Sequence, residues 1–448
     1  MNILRISVAA CVLGSVPFLC QPAQGQNVSF RSQVAPILVN NCLACHGPKK
    51  AEGGYRVDNF ERLMAAGESG SHGFSPKAVD ASEGFRRIVS SDASERMPLE
   101  GDPLPADQVE LIKKWIEEGA TFDGPDPKAN LATVIPPPVH PDPPAEYPHA
   151  MPVTAITFSP DGSEVIVGGY NELTLWNAAN GQLNRRWKNV GQRTFALAFS
   201  PDGKSLAVGG GTPGRLGEVR VFDFATGNLK AVLGTTSDVV LDVSYSPQGD
   251  RIAIGAADGV LRIVESESGK ELFAINSHSD WVTATAWNAD GTKLASVSRD
   301  KTAKVFDSKT GELAVTYSGH GQPVRGIAFH PDGAELFSAG NDKKIHRWKL
   351  ADGAKTAEVA FGDEVYKLPL GGGFLFASSA DKSLRQFDAK THGQIRAFAG
   401  PTDSVLCAAY HDGTKRVAGG VFSGGVHVWN LADGNAIATF IAAPGLKQ

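Results

Sequence analysis

Val324-Arg325-Gly326-Ile327-Ala328-Phe329, followed by His330-Pro331-Asp332-Gly333, is the stretch on which the fold turns. Val324, Gly326, Ala328 and His330 interleave with Arg325, Ile327 and Phe329, the period of two that a pleated strand imposes. Asp332-Gly333 then reverses the chain into an antiparallel neighbour. The same turn recurs as Phe158-Ser159-Pro160-Asp161-Gly162, Phe199-Ser200-Pro201-Asp202-Gly203, Tyr245-Ser246-Pro247-Gln248-Gly249 and Trp287-Asn288-Ala289-Asp290-Gly291, and in shortened form as Tyr410-His411-Asp412-Gly413. A second anchor, a bulky apolar residue ending a later strand, recurs at Trp176, Phe222, Val264, Phe306, Trp348, Phe387 and Trp429, at spacings of 46, 42, 42, 42, 39 and 42. A period near 42 holding four strand-like runs is the signature of propeller blades. Seven second anchors predict seven blades over 153–443, with a short tail at 444–448.

The repeat resembles the WD-repeat pattern. Phe222-Asp223, Phe306-Asp307 and Phe387-Asp388 approach the eponymous dipeptide, Trp176-Asn177 and Trp429-Asn430 vary it, and Val264-Glu265 and Trp348-Lys349 depart further. His278 with Asp300, and His320 with Asp342, stand 22 residues apart in both cases. In WD repeats such pairs resemble the network tying an inner loop to a turn, which implies a structural role. Cys407, inside Val405-Leu406-Cys407-Ala408-Ala409-Tyr410, reads as a small buried apolar residue. Gly209 to Gly217 lengthens blade 2 and is a candidate contact loop, against the plainer reading of a tolerated surface insertion. Each blade can be built from consecutive sequence. Leu131 to Ile135 is the spare candidate for a latch strand and is expected to be peripheral.

The 448 residues include 50 glycines, about 11% against the usual ~7%, in keeping with many tight turns. With 43 Lys and Arg against 48 Asp and Glu, the net charge of −5 offers no electrostatic footprint for nucleic acid or anionic lipid. At the N-terminus, Arg5 precedes an apolar run from Ile6 to Cys20, and Ala23-Gln24-Gly25 provides a small-x-small site. That is a signal peptide over 1–25, too short to span a bilayer comfortably. Pro17-Phe18-Leu19 argues against a lipid anchor on Cys20. The expected location is periplasmic or otherwise outside the cytoplasmic membrane, with no transmembrane helix in the mature chain. Cleavage leaves Cys42, Cys45 and Cys407, too few for a disulfide scaffold. Residues 26–122 mix helical periodicity with glycine-rich loops. A linker over 123–152 follows, and Pro136 to Pro152 alone holds eight of the chain's 27 prolines, the composition of a semi-rigid spacer.

Cys42-Leu43-Ala44-Cys45-His46 is the strongest chemical motif. Two thiols at this spacing can form thioethers to both vinyl groups of one haem, and the next histidine can coordinate its iron. Zinc would need a second ligand pair at finger spacing, and a thioredoxin-type pair would need βαβ surroundings. The expected cofactor is one covalently attached haem c. For the second axial position, Met97 in Glu95-Arg96-Met97-Pro98-Leu99 is favoured, because proline holds an extended loop there. Met64, His72 or an open site are the alternatives. Phe30, Val34, Ile37 and Leu38 keep helical spacing before the motif. Val109, Ile112, Trp115 and Ile116 form a stripe on a helix starting near Pro105 and stopping at Gly119.

Val34-Ala35-Pro36-Ile37-Leu38, Cys42 to Pro48, Gly53-Gly54-Tyr55-Arg56-Val57-Asp58, Gly67-Glu68-Ser69-Gly70, Arg96-Met97-Pro98 and Trp115-Ile116-Glu117-Glu118-Gly119-Ala120 together resemble the planctomycete-type cytochrome c domain. The resemblance implies a small, mainly α class I cytochrome c domain over 26–122 with His46 and Met97 as axial ligands. Ser71 to Gly84 departs from that pattern. The function expected is electron transfer by an exported single-haem cytochrome, with the all-β propeller as docking scaffold for a redox partner protein. The alternative is a haem-based redox sensor or structural scaffold. A propeller oxidoreductase with a second cofactor is the weakest reading, because seven blades, no second-haem ligand and no adjacent cysteine pair all count against it. An electron carrier is thus favoured over a catalyst.

Overall fold

The computed structural model describes residues 27–48, 50–99, 101–137 and 139–446. The signal peptide read at 1–25 lies outside the described residues. The chain forms two compact units that divide between 137 and 138. Among the described residues no helix is long and apolar enough to cross a membrane.

The first unit is built from short helices. A π-type turn over Phe30–Val34 runs into α1 (Ala35–Asn41), and α2 (Phe60–Leu63), α3 (Glu83–Ile88), α4 (Ala106–Glu117) and α5 (Leu131–Val134) follow. The predicted apolar spacings become its core. Phe30, Val34, Leu38, Ile112, Trp115 and Ile116 are fully buried. The Trp115 ring lies 5.3 Å from Phe30 and 5.7 Å from Phe74, and its indole N–H donates to the Thr121 carbonyl at 3.0 Å. Pro105 caps α4, and Gly119, with φ at +110°, ends it.

Seven four-stranded antiparallel sheets make up the second unit, each from four consecutive strands. Blade 1 spans 156–187, blade 2 193–236, blade 3 240–275, blade 4 282–317, blade 5 324–360, blade 6 370–398 and blade 7 405–441. All seven second anchors fall on third strands and are buried. The turn glycines Gly162, Gly203, Gly249, Gly291 and Gly333 adopt φ between +71° and +76°, the left-handed region that selects glycine. Among the described residues no strand is exchanged between first and last blade. Instead the Val153 N–H donates to the Val421 carbonyl at 3.2 Å, and Trp176 of blade 1 stacks on Phe440 of blade 7 at 4.7 Å. Cys407 is buried as expected. Its thiol donates to the Val153 carbonyl at 3.1 Å, and burial pushes it up to about 12. At the centre of the ring the Lys367 ammonium lies 2.9 Å from Asp242.

Two expectations need correction. Leu131 to Ile135 is neither peripheral nor part of a blade: α5 sits in the first unit's core, with Leu131 fully buried and its N–H donating to the Asp58 carbonyl at 2.8 Å. The insertion at 209–217 is not mainly a loop. It extends two paired strands, Ser205–Thr212 and Leu216–Asp223, leaving only Pro213 to Arg215 exposed at the tip. A Cβ on Gly210 would lie 2.1 Å from the Arg193 carbonyl, so close backbone approach explains that glycine.

The proline-rich stretch is divided between the units. From residue 139 it runs along the ring as a docked strap. His140 Nε2 pairs with the buried Glu218, which also holds the buried Arg220. Arg186 donates to the Pro144 and Ala145 carbonyls at 2.7 and 3.2 Å. The Tyr147 hydroxyl reaches Glu172 at 2.6 Å. Buried charges need such partners, so the strap is fixed by hydrogen bonds in addition to its stiffness.

Candidate functional site

The C-terminal turn of α1 delivers the motif. The Cys42 N–H donates to Leu38 at 2.9 Å, and the Cys45 and His46 N–H groups both donate to the Cys42 carbonyl at 3.2 and 2.9 Å. The backbone thus winds on helically through the motif. Gly47 must be glycine here, since a Cβ would lie 2.5 Å from the Leu43 carbonyl. The Val57 N–H donates to the His46 carbonyl at 2.8 Å and pins the exit.

Leu38, Cys42, His46, Tyr55, Phe74 and Met97 line one cleft of about 470 Å³. That is within the range of about 300–1,000 Å³ usual for small-molecule and cofactor sites. His46 Nδ1–H donates to the Tyr55 carbonyl at 3.3 Å, which leaves Nε2 with its lone pair for a metal. The Tyr55 hydroxyl donates to the Leu63 carbonyl at 2.6 Å, anchoring the residue that orients the imidazole. Burial, aided by Cys45, pushes the Cys42 thiol up to about 11. Cys42 is half-buried, and Cys45 is exposed and is not on the cleft wall.

Met97 enters from the loop between α3 and α4. Its N–H donates to the Arg87 carbonyl at 3.0 Å. Arg86 bridges Glu83 of α3 and Glu95 of the loop at 2.8 and 3.0 Å, and with Arg87 it holds Glu83 down to about 2. The other ligand alternatives lie elsewhere. Met64 packs half-buried against the first unit's core. His72 is exposed, its Nδ1 2.9 Å from the Met64 carbonyl. Met151 belongs to the second unit.

The donor set in the cleft is a half-buried thiol, an imidazole and a thioether, with Leu38, Val57, Phe74 and Ile88 as apolar wall and Glu52, Glu68, Glu83 and Arg87 as charged wall. These residues fit a c-type haem: Cys42 with Cys45 for attachment, His46 and Met97 for iron. Sequence reasoning missed the wall supplied by Gly73, Phe74 and Gly84, which lies within the departing segment 71–84. It also missed the orienting part of Tyr55. The signal for that wall was glycine at both ends, since a Cβ on Gly73 would lie 2.1 Å from the Tyr55 hydroxyl and one on Gly84 2.7 Å from the Gly73 carbonyl.

The ring holds the two expected His-Asp pairs. His278 Nδ1 lies 2.9 Å from Asp300 and its Nε2 2.8 Å from Ser296. His320 repeats this with Asp342 at 2.7 Å and Ser338 at 2.8 Å. Ser338 also accepts the Trp348 indole N–H at 3.0 Å. With their nitrogens occupied, these histidines tie loop to turn.

No curated protein matches the chain. Residues 243–323 match the family model of the anaphase-promoting complex subunit 4 WD40 domain. Residues 143–177 and 311–349 match the WD domain, G-beta repeat, and residues 42–101, from the first motif cysteine to just past Met97, match planctomycete cytochrome c. The chain therefore joins a planctomycete-type cytochrome c segment to a seven-bladed WD-repeat propeller.

Proposed function

We propose that this protein is an exported single-haem c-type cytochrome that transfers electrons, with the propeller as the surface that docks its redox partner. The observation carrying this reading is the convergence of Cys42, His46 and Met97 on one cleft. When bound, the haem would supply a one-electron couple. The chain's own part is to hold it. Cys42 and Cys45 provide the two thioether attachments, and Tyr55 fixes the tautomer of His46. The Arg87 carbonyl fixes the loop bearing Met97, and Leu38, Val57 and Phe74 exclude water. Excluding water and supplying a thioether ligand both favour a raised potential relative to two-histidine ligation. The class I cytochrome c fold fits the short helices around this cleft. The single-chain blades and the His-Asp ties make the ring rigid, which suits presentation of a surface to another protein.

The test is the optical spectrum of the protein produced with its leader in a host that attaches c-type haem. One haem per chain with a two-thioether pyridine haemochrome, six-coordinate and low spin, is expected. Protein lacking covalent haem, or carrying an additional chromophore, would overturn the reading.

A further inference from the structure

A haem brings two propionate carboxylates along with its iron, and what meets them follows from the charges on the cleft wall. Among the described residues that wall carries three carboxylates, Glu52, Glu68 and Glu83, against one guanidinium, Arg87, and no lysine. These charges are segregated. The Glu68 N–H donates to the Gly53 carbonyl at 3.0 Å, so Glu52 and Glu68 stand on neighbouring segments and form an acidic part of the wall. Glu52 has Lys50 at 2.8 Å, whereas Glu68 has no ion pair among the described residues.

Arg87 belongs to α3, and helical spacing decides which of that helix's side chains reach the cleft. Gly84, Arg87 and Ile88 follow the i, i+3, i+4 spacing of one face and line the cleft, while Phe85 turns into the core. Arg86 does not line it. Arg86 holds the Glu83 carboxylate with two bonds, from Nε and Nη2, both at 2.8 Å. Arg87 adds one, from Nε to Oε1 at 2.8 Å, and its Nη1 and Nη2 have no hydrogen-bond partner among the described residues. Glu83 is thus satisfied by Arg86 and orients Arg87 without consuming it. A fork with free terminal nitrogens is what matches a carboxylate through paired N–H bonds.

We propose that Arg87 binds a haem propionate, so that the propionate edge lies on the α3 side of the cleft and away from Glu52 and Glu68. The proposal rests on the haem reading given above. A propionate beside Glu68 would set two unpaired carboxylates together, and like charges disfavour the ionised form of both. Beside Arg87 it completes an ion pair whose cation Glu83 already orients. The Arg87 side chain is 41% exposed, so water screens the pair and its contribution to stability is small. Its mark is on the electronic properties of the bound group, which respond to hydrogen bonding and nearby charge.

The experiment uses the full chain carrying covalent haem, with haem content measured first as the pyridine haemochrome. Arg87→Gln should displace the propionate-bending band of the resonance Raman spectrum and lower the reduction potential, because losing a cation favours the ferric state. The expected fall is at least threefold in the reduction equilibrium, about 28 mV at 59 mV per tenfold for one electron. Arg87→Lys should recover the potential but not the band, since an ammonium keeps the charge without the fork. The near-infrared methionine band should persist in both variants, which separates loss of the propionate contact from loss of Met97. Glu68→Gln should raise the potential and leave the Raman band in place. With haem attached, a band unmoved by Arg87→Gln or moved by Glu68→Gln would overturn the proposal alone. Wild-type protein without covalent haem would overturn the haem reading and this proposal with it.

Discussion

The first unit gathers its helices on one apolar core, whereas the ring distributes its core over separate clusters, each between two neighbouring blades. In the first, Trp115 alone touches Phe30, Phe60 and Phe74. In the second, a residue such as Phe387 or Trp348 serves one seam, and other seams repeat its work. The chemistry divides the same way. The first unit concentrates its reactive donors in one cleft, while the ring repeats a tie and varies it blade by blade. A repeated structure is tolerant and readable by comparison with itself; a single core is neither.

The largest effect should come from removing the cleft's attachment points. Cys42→Ala together with Cys45→Ala should eliminate haem stain after denaturing electrophoresis, while either single change leaves one thioether and a reduced stain. Surviving stain in the double variant would break the contrast, because the ring would then hold a haem. Next in size is Trp115→Ala. Truncating a buried tryptophan costs about 3–5 kcal/mol, a large share of the roughly 5–15 kcal/mol that keeps a domain folded. Calorimetry of the variant should show the first unit's transition lost or strongly lowered and the ring's transition unmoved.

Met97→Ala should be smaller in stability and specific in spectrum. The near-infrared methionine-to-iron band of the oxidised protein should vanish, the reduced protein should bind carbon monoxide, and the potential should fall. Persistence of the band would move the ligand to Met64. The smallest effect concerns acid. Burial, with Arg347 and His330 nearby, holds His392 down to about 4, and burial also lowers His278. The unfolded chain binds a proton at these rings near pH 6.5 and the folded ring does not. Their stability is therefore present above pH 6.5 and lost as pH falls toward 4. The ring's midpoint should drop over that window. His392 has φ at +62°, where the matching turns use Gly181, Gly227, Gly269, Gly311, Gly353 and Gly434. His392→Gly should leave stability at pH 8 within about 1 kcal/mol and flatten part of the acid slope. An unchanged slope would mean that the proton uptake lies elsewhere.

Much of this was legible in the residues. Asp-Gly turns and buried anchors recur because each blade meets the same steric demands, so the blade number followed from counting. The cysteine motif was legible because thioether attachment and ligation are local in sequence. What escaped depends on distant partners. Nothing in Leu131 to Ile135 announces the cavity left for it beside Asp58. The strap could be read as stiff, but the ties of His140 to Glu218 and Tyr147 to Glu172 span 78 and 25 residues. Glycines in 209–217 looked like a loop because low side-chain content also suits strands packed backbone to backbone.

Closure without an exchanged strand has a consequence for the order in which the ring assembles. A hairpin blade needs only its own forty or so residues, and each new blade can condense on the one before it, in the manner of a linear repeat array. The last seam differs. It joins Val153 to Val421 and Trp176 to Phe440, pairs separated by almost the whole ring, and loop-closure entropy opposes it more than any neighbour contact. Its formation must await the final blade, and in the finished ring it is the seam expected to open first. Amide exchange should therefore be fastest, among ring strands of equal burial, along blades 1 and 7, and the slow phase of refolding should carry the fluorescence of Trp176.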